Sequence, residues 1–201
     1  MNAPHYRQYL YIAFSELLKE PTAQTTEDLP ALVAFLGEAA TALGYTLTAP
    51  GADDLLALAG DFDALRGAYY LTFCYPPQTR LVPVESVYRP WTKDPTATLP
   101  GAHDLGYLQG DAAAHMLALY QSYGLTPPEA YQAMPDHLCL QLEFAAHLLE
   151  LEQEDRLATF LADHLGWVSD LAAQAAASPA APFYRRVLDL TAAFLAAEKQ
   201  Q

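Results

Sequence analysis

Basic residues are scarce in this chain. Ten Lys and Arg stand against 24 Asp and Glu, for a net charge of −14. That argues against nucleic-acid binding and against adhesion to anionic membranes, since both need clustered Lys and Arg against phosphate. The same surface attracts basic peptides and speeds their association. Keeping the protein soluble is the plainer use of such charge, and charge alone does not separate the two. Cysteine is nearly absent. Cys74 and Cys139 lie far apart with no C-x-x-C, so neither a disulfide framework nor a zinc knuckle is written here. Both sit in apolar context and read as small buried hydrophobes. No apolar run approaches the roughly 20 residues of a membrane span. Glu16 interrupts the first helix, and no basic segment leads into an apolar run as in a signal peptide. A cytoplasmic location without membrane insertion is the expectation.

Catalytic patterns are missing as well. There is no G-x-S-x-G, no H-E-x-x-H and no glycine-rich phosphate loop; the ten glycines are scattered, mostly at helix ends. Glu143 and His147 are four apart, whereas carboxylate-bridged di-iron bundles use Glu-x-x-His twice. Asp136-His137 and Asp163-His164 are adjacent pairs, whose side chains diverge on a helix. No catalytic residue, cofactor or metal ligand is therefore assigned, which favours a binding protein over an enzyme.

What is present is apolar and helical. Apolar residues reach 52% while charged residues stop at 17%, below the ~25% usual for globular chains, so much surface is buried or covered by a partner. The length suits one domain with one sizeable core. Tyr6, Leu10, Ala13, Phe14 and Leu17 recur at helical spacing from Pro4 to about Lys19, and Pro21 stops them. A helix capped by Thr25 with Asp28 runs to Gly44. Pro50-Gly51 is a turn, and shorter helices cover about 53–59 and 61–73. Later helices are expected over 104–123 (stripe Leu108, Ala112, His115, Leu119, Tyr123), 134–153, 156–177 and 183–199. Alternation never persists, so the fold class is all-α.

The helix from Met134 has Pro135 at its first position and Asp136 in its first turn, where the dipole favours an acid. Its plain reading is that Asp136 caps the helix while His137 hydrogen-bonds nearby backbone. Its functional reading is a carboxylate beside an apolar groove, suited to an arginine, because a guanidinium pairs well with a carboxylate where water is excluded. The stretch from Tyr75 to Gly101 carries six prolines and cannot hold a long helix. It also holds Val82-Pro83-Val84-Glu85-Ser86-Val87-Tyr88-Arg89-Pro90-Trp91, too aromatic for a spacer. Tyr88 and Trp91 pin it to the core in the simplest view, and a loop so long is often functional or a hinge.

Pro135-Asp136-His137-Leu138 followed by Leu142-Glu143-Phe144 resembles the signature of the TorD/DmsD/NarJ family, cytoplasmic chaperones that mature molybdenum-containing redox enzymes. Glu85-Ser86-Val87-Tyr88, and Phe160 with His164-Leu165 and Trp167, resemble two further stretches of that family in the same order. Ala133 and Val84 depart from it, standing where many or some relatives carry Glu and Trp. The resemblance implies a single-domain TorD-like helical bundle over most of the chain. It implies a non-enzymatic role: holding the catalytic subunit of a molybdenum-containing oxidoreductase, by its twin-arginine signal peptide or a terminal segment, until its cofactor is inserted. Glu85 and Asp136 would face the arginines, with Ser86, Tyr88, Pro135, His137 and Leu138 shaping the groove. A homodimer swapped at the Pro-rich loop stays open. The competing readings are a general acidic helical adaptor for another basic, apolar peptide, and a small metal-dependent helical enzyme.

Overall fold

α7 (Leu138–Glu150) is the helix around which the others gather. Ten of its 13 residues are buried, so it is apolar nearly all round, as a helix enclosed by others must be. In the computed structural model, residues 3–47 and 52–201 are described. α1 (Ala3–Leu18) packs along α7 most extensively; α2 (Ala23–Leu43) lies against α1, with α3 (Ala52–Ala59) beside it. α4 (Phe62–Tyr69) runs on as a π-helical turn, Tyr70–Cys74. Then come the one-turn α5 (Glu85–Tyr88), α6 (Asp111–Ser122), a 3₁₀ turn at Glu129–Tyr131, α7, α8 (Glu154–His164), α9 (Val168–Ala177) and α10 (Pro182–Glu198), which packs on α9. No strand occurs among the described residues. One isolated antiparallel bridge joins Val84 to His137. A continuous apolar core runs from Leu10 to Leu195, with Tyr11 and Phe14 against Phe194 and with Trp167 wholly enclosed.

Helix ends differ from expectation in informative ways. α2 starts at Ala23, because Thr22 and Thr25 form the capping box; Thr25 is its third residue and not its cap. Gly44 closes α2 at φ 67, the left-handed conformation that glycine adopts without strain. The expected turn at Pro50-Gly51 lies outside the described residues. The expected helix over 156–177 is two helices, since the chain breaks at 165–167 between α8 and α9. α6 starts seven residues later than expected, at Asp111, and its core face is Ala113, Met116 and Tyr120. The expected stripe through His115, Leu119 and Tyr123 looks onto an open cleft instead, and Leu108 is exposed. Cys139 is fully buried, whereas Cys74 is only partly so.

The irregular segment therefore reaches from 75 to 110, and it is well fastened. Gly106 N–H donates to Val87 O, Trp91 N–H to Asp104 O and Asp111 N–H to Trp91 O. Gly110 passes so close to this ladder that a Cβ there would sit 2.5 Å from the backbone oxygen of Trp91. Backbone cannot yield as a side chain does. Gly110→Ala is expected to cost about 1–3 kcal/mol of stability, as overpacking does, read as a lower urea midpoint at unchanged slope.

Candidate functional site

The two stretches singled out in the sequence meet as one seam. Leu138 N–H donates to Pro83 O at 2.9 Å and Glu85 N–H to Asp136 O at 3.1 Å. Asp136 does not lie in the first turn of α7. It precedes the helix, is fully buried, and caps the other stretch: Ser86 N–H and Oγ–H both donate to its Oδ2, at 2.7 and 2.5 Å. Gly110 N–H donates in turn to Ser86 Oγ at 3.3 Å, and Tyr120 O–H holds Pro135 O at 3.0 Å. Asp136 Oδ1 is buried with no hydrogen-bond partner.

His137 is the N-cap of α7. Its Nδ1 accepts from Cys139 N–H at 3.2 Å, so the ring caps only while that nitrogen keeps its lone pair. Burial pushes the imidazole down to about 4. A depressed folded pKa gives stability that is complete above the unfolded value of about 6.5 and is lost as pH falls toward 4. The loss is expected to reach on the order of 3 kcal/mol in acid. His137→Asn, which caps without titrating, should flatten the slope when denaturation midpoints are compared across that window.

Glu85 begins a second cluster that the sequence did not disclose. Its Oε2 accepts from Gln141 Nε2 at 2.6 Å and lies 2.8 Å from His164 Nδ1. His164 Nε2 lies 2.8 Å from His115 Nδ1. Trp167 Nε1–H donates to Gln141 Oε1 at 3.1 Å, and Tyr88 stacks on Trp167 at 5.0 Å while its hydroxyl donates to Gln174. α5, α7, α8 and the α8–α9 junction are thus joined by buried polar side chains, and the exposed His115 carries the contact outward to α6. The Phe160, His164 and Trp167 stretch does pack the core, and it also brings His164 to the buried Glu85 and Trp167 to Gln141. Gln141, polar and embedded in Leu-Cys-Leu-Gln-Leu, was the signal that could have disclosed it.

The seven residues proposed from sequence thus fall into two groups. Glu85, Ser86, Pro135, Asp136, His137 and Leu138 come together and are buried; Tyr88, half-buried, turns toward Trp167. Open surface lies beside them. A cleft of about 300 Å³ is floored by Leu119, Phe144, Leu148 and Phe160 and edged by His115 and Asp163. A second, of about 310 Å³, lies on the other side of Phe144, between Leu125, Pro127, Leu140 and His147. The rings of Tyr120 and Tyr123 meet Phe144 edge-on at 5.5 and 5.2 Å and keep α6 standing off α7 between the two clefts. No group of three or more His, Cys, Asp or Glu among the described residues is arranged to hold a metal ion, and no described helix is long and apolar enough to cross a membrane.

The family described as nitrate reductase delta subunit matches residues 19–173, a span holding the whole seam and Glu85, His115, Gln141, His164 and Trp167 of the polar cluster. The chain belongs to that family. Its members are NarJ/TorD-type chaperones of molybdoenzyme maturation, not catalysts. The fold agrees. A crystal structure from Archaeoglobus fulgidus, of a protein assigned to redox enzyme maturation, superposes with a TM-score of 0.56 at 20% identity, covering 96% of this chain and 91% of that one. At that identity the likeness is one of fold. No curated protein matches the chain.

Proposed function

We propose that this delta-family chaperone holds the catalytic subunit of a molybdenum-containing oxidoreductase in the cytoplasm until its cofactor is inserted. The grip would be on a basic, apolar terminal segment such as a twin-arginine signal peptide. The observation that carries this reading is the partnerless oxygen of Asp136. A buried carboxylate oxygen without a donor costs free energy that a guanidinium would recover. The seam covering it is made of the Pro-rich stretch, so an arginine would reach Asp136 as residues 83–88 lift. The apolar part of the segment would settle in the clefts flanking Phe144, and the charge of −14 would draw the basic end in.

Calorimetry with a synthetic Arg-Arg leader peptide tests this. Asp136→Asn keeps the side-chain volume and an acceptor for Ser86, and should weaken binding roughly tenfold or more. Unchanged affinity would remove Asp136 from the site. A Lys-Lys peptide bound as tightly as Arg-Arg would favour the general acidic adaptor, because only arginine offers a planar fork.

A further inference from the structure

We propose that Arg89 and Lys199, converging over Gly166, form a binding site for a phosphate group. Three other cations of this acidic chain meet acids: Arg7 pairs with Glu154 and Glu198, Lys19 with Glu16 and Glu143, Arg66 with Asp63. Arg89 and Lys199 meet each other. A methyl group on Gly166 would lie 3.0 Å from Arg89 Nη2 and 3.8 Å from Lys199 Nζ, so both charges lean over one point. The Lys199 ammonium is pushed down by partial burial and by Arg89, and no carboxylate offsets either effect.

The backbone that carries each cation is held by the structure around it, while Lys199 itself is exposed. Arg89 follows Tyr88, which is stacked on Trp167 and bonded to Gln174, and precedes Pro90, which fixes the next turn of chain. Lys199 follows Glu198, whose carboxylate is buried against Arg7, Tyr11 and Tyr45. Two like charges brought together in this way repel unless an anion lies between them. The guanidinium offers a fork and the ammonium a point charge, and the start of α9 immediately beyond Gly166 adds the positive end of a helix. That set suits a doubly charged oxyanion better than a carboxylate. Gly166 contributes space: its backbone is not left-handed, and a side chain would displace the Arg89 guanidinium.

The test is titration of the full chain with inorganic phosphate, pyrophosphate and acetate at constant ionic strength, following the indole N–H resonances of the two tryptophans. Phosphate and pyrophosphate should shift Trp167 saturably, more tightly than acetate, and leave Trp91 in place. Arg89→Gln and Lys199→Gln should each weaken binding roughly tenfold or more. Gly166→Ala should weaken it in the same direction with the denaturation midpoint kept. No saturable shift, equal binding by the Gln variants, or acetate binding as tight as phosphate would each overturn the proposal. Pyrophosphate binding far tighter than phosphate would identify a diphosphate-bearing ligand as the source; equal binding would identify a single phosphate group.

Discussion

Replacing His164 with alanine is expected to lower stability by about 3 kcal/mol or more, because it strands a buried acid. Glu85 and His164 are 2% and 3% exposed, and the imidazole supplies one of the two donors to Glu85 Oε2. After its removal only the Gln141 amide remains on that oxygen. The aromatic ring also leaves a void between Phe160 and His115, which stack or tilt against it. Urea denaturation reads the effect, and for a chain of this size it amounts to a melting point lower by roughly 10 °C. The partner variant gives the diagnostic. If the cost is the stranded carboxylate, Glu85→Gln combined with His164→Ala should be clearly less damaging than the sum of the two single changes, because no carboxylate is then left without its partner. Additive losses would mean that packing alone sets the effect. The consequence should also be local. α5 hangs on Glu85 and Ser86, so amide exchange in residues 83–89 should speed up before that of α7.

The all-α class was legible because the outer helices carry strong local signals. α1 and α10 fall within one residue of expectation: each has a full apolar stripe, α1 is stopped at Pro21, and α10 begins at Pro182. The interior was harder for the same physical reason throughout. Leu165 and Trp167 continue the apolar pattern of α8 and α9, so the break between the helices leaves no mark in periodicity. Pro135 and Asp136 satisfy the rules for a helix start equally well when they precede the helix in a turn, closed by His137 N–H to Met134 O, and nothing local announces that His137 will do the capping. The stripe on α6 was misplaced because His115, Leu119 and Tyr123 are spaced like a core face yet border open clefts. For the site, Asp136 stood out at the helix start and resemblance brought Glu85 and Ser86 into view; that they bond to one another, fifty residues apart in the Ser86–Asp136 case, is tertiary information. Their burial was likewise invisible, since Asp and Glu are ordinarily surface residues and only partners from other elements make enclosure tolerable.

Arg7→Ala is expected to be comparably severe, about 3–5 kcal/mol. Glu198, near the end of the last helix, has its carboxylate wholly enclosed. Arg7 Nε and Nη2 donate to it at 2.9 and 3.0 Å, Tyr11 O–H donates at 3.0 Å, and Tyr45 O–H completes the set. The same guanidinium reaches Glu154 through Nη1 at 2.8 Å. One arginine thus ties α1, the chain after α2, the start of α8 and the end of α10. Without it the carboxylate keeps two phenols, neutral donors that cannot balance its charge in an apolar surround. Glu198→Gln should be much milder, since the amide oxygen still accepts from the phenols and no buried charge is left unpaired. A Gln variant as unstable as Arg7→Ala would show that the hydrogen-bond geometry, not the charge, holds the ends together. The two replacements also bear on Lys199. If Arg7→Ala frays the last turn of α10 while the rest stays folded, Lys199 loses its fixed position, and any phosphate response at Trp167 should fade with it; after Glu198→Gln that response should persist.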